Sequence, residues 1–353
     1  MRTTEAIPIT RVEASRRESV DFRALPFGSV FSDHMFRTRY HDGAWDHGEI
    51  VPYGAIQIHP TARALQYGIS MFEGFKAHRT PEGDAAIFRP DMNWRRLNRT
   101  ARRLAIPEIP EGMFMAAVEE LVRLDRAWVP DPEDGSLYIR PTCFCTDENL
   151  NVQPGTDFTF LIVTGPFGPY FSGELGLIAS TEYVRAFPGG TGDVKVGGNY
   201  APTLLATRDA QAAGYQNVIW LDGVERRYIE ECGVMNVFFV IDGIAVTPAL
   251  EGTILPGVTR DSILVLLADF GIPSEERRIS IDEILAAHDS GTLSEAFGVG
   301  TAATVAPIDR LGLDGRDIRL EDREGSVARR LEAELQGIQT GRIDDRHGWL
   351  VRV

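Results

Sequence analysis

The run Gly165-Pro166-Phe167-Gly168-Pro169-Tyr170-Phe171-Ser172-Gly173 is so dense in glycine and proline that it reads as a connector between two bodies. It predicts an interdomain loop over 165–175, with a smaller domain at 1–164 and a larger one at 176–353. A chain of 353 residues with 43% hydrophobic content can bury a core on each side of such a loop. Before it, apolar periodicity predicts helices over 92–104 and 113–129 and strands over 137–140 and 158–164. After it, helices are expected over 201–213, 259–270 and near 325–335, with strands over 217–221 and 237–241. Both halves mix helix and strand, so the fold class is mixed α/β. Residues 1–22 are polar and charged and are expected to be loosely held.

Acidic residues outnumber basic ones, 51 to 36, for a net charge of -15, which disfavours nucleic acid and anionic lipid as partners. The start has no apolar run of signal-peptide length, so Arg16-Arg17 is not read as an export signal. No stretch is long enough to span a bilayer. The three cysteines, Cys143, Cys145 and Cys232, form neither a CxxC pair nor a disulfide framework, and the expected compartment is the reducing cytoplasm. The histidines lack metal-site spacing, and no metal is expected.

Lys195-Val196-Gly197-Gly198-Asn199-Tyr200 sets an amine beside two glycines and a phenol. An amine whose pKa is lowered by burial or cationic neighbours attacks a carbonyl carbon, and glycines let backbone pass close to a flat ligand. Alone, the motif would read as a solvated lysine in a turn. Glu230-Glu231 precedes a strand, and alternation sends the two side chains to opposite faces, so at most one is expected to point inward. An inward carboxylate suits a protonated ring nitrogen. Leu255-Pro256-Gly257-Val258-Thr259-Arg260 opens an apolar helix, placing free N–H groups where they could hold a phosphate, unless Thr259 is an ordinary N-cap.

Gly298-Val299-Gly300-Thr301-Ala302-Ala303 matches the dinucleotide pattern GxGxxA, but a strand-like segment follows where that fold needs a helix. A tight turn offering the Thr301 hydroxyl and backbone amides to an anion fits better. Tyr138 and Arg140, at i and i+2, share a strand face and suit a carboxylate, although an exposed edge pair would look the same. Arg95, Arg96, Arg99, Arg102 and Arg103 crowd one helix, where one turned inward could neutralise a phosphate.

Taken in order, these motifs, with Tyr67-Gly68-Ile69-Ser70-Met71-Phe72-Glu73-Gly74, resemble those of the branched-chain amino acid aminotransferases, which are pyridoxal-phosphate (PLP) enzymes of fold type IV. The resemblance runs from Tyr67 to Ala302. It implies a smaller N-terminal α/β domain, a larger C-terminal domain with a barrel-like sheet, and a homodimer. It implies that Lys195 bonds PLP covalently and shuttles the substrate proton. Tyr200 would then bind the ring's phenolic oxygen and Glu231 its nitrogen, while Arg96, Val258, Thr259 and Thr301 hold the phosphate. Tyr138, Arg140, Thr301 and Ala302 would take substrate carboxylates. Phe72, Tyr170 and Met235 would wall the side-chain pocket, with Tyr67 reaching it from a second subunit.

The implied reaction is ping-pong transamination of leucine, isoleucine and valine with 2-oxoglutarate. The chain departs from some members at Val234, where they carry Thr or Ser, and lacks the CxxC of the mammalian members at 303–306. Rivals with the same fold are D-amino acid aminotransferase, R-selective amine transaminase and aminodeoxychorismate lyase. An NAD-dependent dehydrogenase built on Gly298 and Gly300 is a more distant alternative, as is a PLP-binding protein without catalysis.

Overall fold

The computed structural model describes residues 6–25, 28–168, 173–321 and 323–353. The chain divides into two compact units. The first takes in the described residues of 1–169 with 195–198 and 338–353, and the second holds the rest.

The first unit is built on a nine-stranded antiparallel sheet. Its strands are β1 (His34–His41), β2 (Ala44–Trp45), β3 (Glu49–Pro52), β4 (Ser70–Phe72), β5 (Phe75–Arg79), β6 (Ala85–Phe88), β7 (Ser136–Cys145), β8 (Phe158–Phe167) and the C-terminal strand Leu350–Arg352. Along β7 the burial alternates: Leu137, Ile139 and Cys143 enter the core, while Tyr138, Arg140 and Thr142 turn to the other face. Leu97 and Ala101 of helix α2 (Pro90–Arg103) and Phe114, Val118 and Leu121 of α3 (Glu111–Leu124) close that core. Helix α1 (Arg63–Tyr67) leads into β4.

The strand expected over 137–140 runs on to Cys145. Pro141, which has no N–H to donate, falls where the neighbour of β7 changes from β5 to β4, and its carbonyl accepts the Glu73 N–H at 2.9 Å. The expected connector also starts late, because Gly165, Pro166 and Phe167 belong to β8. Gly165 pairs with Tyr138, and a Cβ there would lie 2.1 Å from the Val30 carbonyl oxygen, so the glycine admits a second backbone instead of ending the strand. Residues 338–353, assigned from the sequence to the larger domain, join the first unit, since Val351 pairs with Ile87 at the sheet edge.

The segment expected to be loose is tied down from Pro8 onward. Ile50 donates its N–H to Pro8 and accepts that of Thr10. The Val12 N–H donates to His34 Nε2 at 3.1 Å, so the ring proton sits on Nδ1 and points at Asp125 Oδ1, 2.6 Å away. Asp33 accepts from the Ser15 hydroxyl, the Arg16 N–H and Trp128 Nε1. Burial pushes the Asp33 carboxyl up, but these bonds outweigh it and hold the group below its usual range. A carboxyl depressed in the fold contributes stability above its unfolded pKa, about 4, and loses it as the pH falls through the folded value. Amide protection over 12–16, measured against the intrinsic exchange rate, is therefore expected to fall below about pH 4, and in Asp33→Ala already at neutral pH. Unaltered protection would mean that backbone pairing alone holds the segment.

The second unit carries two five-stranded sheets. One contains β9 (Gly176–Ala179), β10 (Asn217–Leu221) and β11 (Ile229–Cys232), and the other β12 (Asn236–Ile241), β13 (Ile244–Thr247), β14 (Ser274–Glu276), β15 (Leu293–Gly300) and β16 (Thr304–Pro307). β17 (Arg310–Leu313) and β18 (Arg316–Arg319) complete the first in the order β11-β10-β9-β17-β18. The helices are α4 (Thr203–Ala212), α5 (Val258–Asp269), α6 (Ile281–Asp289) and α7 (Val327–Gln339), the last of which continues into the residues that join the first unit. β12 is apolar on both faces, with Phe238 stacked on Phe297, and it leads directly out of the turn that follows Glu231.

Candidate active site

In the first unit, Lys195 is held by its backbone. Its N–H donates to Thr100 Oγ1 at 3.0 Å, its carbonyl accepts the Phe72 N–H at 3.1 Å, and Val196 bridges to Met71. This pairing with β4 sets 195–198 in the first unit although the flanking residues lie in the second. Lys195 Nζ lies 4.9 Å from the centre of the Phe72 ring, and the Arg140 guanidinium 4.6 Å from the same ring. A Cβ on Gly197 would approach the Ser70 hydroxyl to 2.6 Å.

Tyr138 and Arg140 do meet: Arg140 Nη2 donates to Tyr138 Oη at 3.0 Å, and Arg140 Nε is buried without a hydrogen-bond partner. Gly74 leaves room for the phenol, since a Cβ there would collide with its oxygen. Lys76, which the sequence reading passed over, pairs with Tyr138 across the strands and sits over the Phe167 ring. Burial pushes its ammonium down to about 7, and burial together with the Lys76 charge takes His78 to about 3. Alternation from Gly74 was the signal that could have found it.

Of the five arginines on α2, Arg96 is the one turned inward. Its Nε and Nη2 meet the two oxygens of Glu73 at 2.7 and 2.8 Å, with Glu73 fully buried. Arg95 and Arg102 are exposed and pair with Asp91 and Glu108. Tyr67, at the end of α1, is exposed and donates its hydroxyl to the Leu150 carbonyl at 2.6 Å.

In the second unit, Glu230 and Glu231 are both buried, against the expectation that only one would be. They do alternate, but each face of β11 is covered. Glu231 Oε1 accepts the Leu255 N–H at 2.7 Å and Oε2 lies 3.2 Å from Arg185 Nε, while Glu230 Oε1 accepts the Thr253 hydroxyl at 2.5 Å. Helix α5 is capped by Gly257, not Thr259, and no side chain satisfies its first N–H groups. A Cβ on Gly257 would meet Asn236 Oδ1 at 2.1 Å, so only glycine lets the helix begin there.

The GxGxxA match is a hairpin between β15 and β16, with Gly298 opposite Ala306. Its glycines make room for Met235, whose Cε a Cβ on Gly298 would approach to 2.6 Å. Thr301 and Ala302 form the turn, and Val234, half exposed, sits in the turn between β11 and β12. Tyr200 follows a clip made by Asn199, whose amide donates to the Thr191 and Val194 carbonyls. Tyr170 lies outside the described residues.

These groups fit pyridoxal phosphate by their chemistry. A buried carboxylate ion-paired with Arg185 suits the protonated ring nitrogen, an uncapped helix start opened by glycine suits the phosphate, and a lysine amine suits the aldehyde.

Residues 70–311 match the family model described as "Amino-transferase class IV". The chain is 45% identical over 343 residues to the "Probable branched-chain-amino-acid aminotransferase" of Staphylococcus aureus (strain MRSA252), covering 96% of each chain. It is 45% identical over 349 residues to the "Branched-chain-amino-acid aminotransferase" of Mycobacterium tuberculosis (strain CDC 1551 / Oshkosh), covering 96% of this chain and 95% of that one. A solved T.th. branched-chain amino acid aminotransferase, complexed with N-(5'-phosphopyridoxyl)-L-glutamate, superimposes with a TM-score of 0.71 at 30% identity, over 89% of this chain and 97% of that one. With near-complete coverage in sequence and a match across the segment that carries Lys195, Glu231 and Thr301, the chain belongs to the class IV aminotransferases and, among them, to the branched-chain-amino-acid aminotransferases.

Proposed function

We propose that this protein transfers the amino group of leucine, isoleucine or valine to 2-oxoglutarate, giving the branched 2-oxo acid and glutamate in two half-reactions. The observation that carries this reading is the Phe72 ring with the Lys195 amine and the Arg140 guanidinium both over it. An amino acid offers its carboxylate to Arg140 and Tyr138 while its Cα proton comes within reach of Lys195 Nζ. Lys195 removes that proton as a general base. The arginine fork, held by its bond to Tyr138, orients the carboxylate. Phe72 offers the side chain an apolar surface, and expulsion of water from it favours branched substrates.

Bound PLP would supply an electron sink for the pair left at Cα. Glu231 would keep the ring nitrogen protonated and Tyr200 would hold the phenolic oxygen. The phosphate would be held by the N–H groups of Val258 and Thr259 and by Thr301, and the family resemblance adds Arg96. Gly257→Ala is expected to displace the start of α5 and weaken PLP binding by about tenfold or more, the equivalent of one charge-assisted hydrogen bond. Titration of the cofactor-free protein reads this, and unchanged affinity would remove the phosphate from that helix start.

The protein is proposed to work as a cytoplasmic homodimer. Leu65, Tyr67, Leu150 and Val152 form an exposed apolar set around the Tyr67–Leu150 hydrogen bond, which supports burial against a second copy. No helix among the described residues is long and apolar enough to cross a membrane.

The test is the visible spectrum of the holoenzyme. The cofactor band is expected to bleach with L-leucine and return with 2-oxoglutarate. Indifference to leucine, with a response to D-amino acids, amines or aminodeoxychorismate, would transfer the chain to one of those activities.

A further inference from the structure

Arg185 is a buried cation outside the motifs that identified the site, and it touches three segments of the second unit. Its Nε faces Glu231 Oε2 at 3.2 Å, with about a tenth or less of either side chain exposed. Its Nη2 donates to the Gly192 carbonyl at 3.0 Å and to the Thr253 carbonyl. Gly192 lies just ahead of Lys195 in sequence, and Thr253 just ahead of the turn that opens α5. The three segments are packed without slack, because a Cβ on Gly192 would meet the Thr253 oxygen at 2.3 Å and the Ala186 Cβ at 2.4 Å.

The charge balance identifies which carboxylate this cation serves. Glu230 and Glu231 are adjacent and both buried, yet Nε of Arg185 lies against Glu231. Glu230 is bonded through Oε1 to Thr253, and its Oε2 is buried without a hydrogen-bond partner. Burial pushes the Glu230 carboxyl up, although the Thr253 bond and the Arg185 charge pull it back in part. Glu230 is thus answered by a hydroxyl, while Arg185 Nε is the cation in contact with Glu231. The Arg185–Glu231 contact is an ion pair, not an aligned hydrogen bond, since Nε has no hydrogen-bond partner. Its effect on Glu231 is thus mainly electrostatic, while the two carbonyl bonds fix where the charge stands.

We propose that Arg185 is a positioning residue for the cofactor: it holds the Glu231 carboxylate ionised and in place, and ties it to the segments leading to Lys195 and to the phosphate-binding helix start. The proposal rests on the reading of Glu231 as the partner of the PLP ring nitrogen. Without the cation, Glu231 would take up a proton, the ring nitrogen would lose its own, and the ring would draw electrons less strongly. The same loss would loosen the two loops.

Four holoenzymes test this: Arg185→Gln, Arg185→Lys, Glu231→Gln and the double variant, each followed by cofactor titration, the pH dependence of the visible band, and kcat and KM for leucine. Arg185→Gln is expected to lower kcat and raise the PLP dissociation constant by about tenfold or more each, the scale on which outer partners of ligand groups act, with KM little changed. It should also shift the pH titration of the band. Arg185→Lys should restore the band titration, because the charge returns, but only part of the PLP affinity, because the fork to Gly192 and Thr253 does not. In the Glu231→Gln background, Arg185→Gln should add little to the loss in kcat.

A variant Arg185→Gln with a lower thermal midpoint but unchanged kcat, band titration and PLP affinity would overturn the proposal. If Arg185→Gln does not fold, Arg185→Lys decides: a PLP dissociation constant equal to that of the parent overturns it, and a severalfold rise supports it. A Glu231→Gln enzyme with unchanged kcat and band titration would overturn the ring-nitrogen reading itself, whatever Arg185 does.

Discussion

Replacing Lys195 by alanine is expected to abolish turnover of leucine, by about 10³-fold or more, and to remove the covalent absorption band of the cofactor. The fold should survive, because the bonds that place residue 195 are made by its backbone: its N–H to Thr100 and its carbonyl from Phe72. The thermal midpoint of the cofactor-free variant should therefore match the parent's within error. Loss of the band with intact melting is the combination that assigns the chemistry to the amine. Retention of the half-reaction with leucine would remove Lys195 from its role as base.

The second large effect is expected at Glu73. Truncation to alanine would leave the Arg96 guanidinium buried with two N–H groups unanswered, a loss on the order of 3–5 kcal/mol. Urea denaturation of the cofactor-free protein measures it as a shift in midpoint at constant slope. PLP affinity should fall as well, because the guanidinium would no longer be aimed by its carboxylate. Glu73→Leu combined with Arg96→Met should recover much of the stability but none of the affinity, since an apolar pair of similar volume avoids the buried charge. A destabilisation of Glu73→Ala below about 1 kcal/mol would show that water reaches the pair.

Most of the longer helices were readable from periodicity, although α6 (Ile281–Asp289) was not. α2, α3, α4 and α5 fall within a few residues of the expected spans, because each has an apolar stripe that must be buried whatever lies opposite. Tyr138 and Arg140 were placed on one face for an equally local reason, the two-residue repeat of a strand. Rejection of the dinucleotide fold at Gly298 followed from what comes next in the chain, and the hairpin of β15 and β16 bears that out.

Other features depended on partners distant in sequence. The strand expected over 137–140 runs through Pro141, which sits where the neighbouring strand changes, and no local pattern shows that. Gly165 suggested a loop, but the glycine answers the approach of Val30. Both glutamates of the acidic pair were buried because each face of β11 found a cover, Thr253 on one side and Arg185 on the other. Arg185 left no trace as a motif, since an isolated cation becomes informative only once it is seen to be buried.

Residue order alone carried the family and the mixed helix-and-strand character of both halves, because these rest on local spacing and on motifs that recur in sequence. Tertiary structure decided how the charges are divided: Arg96 to Glu73, Arg185 to Glu231, and Glu230 left without a cation in contact. The strength of an ionic interaction depends on distance and on the exclusion of water, and neither quantity is a property of neighbours along the chain.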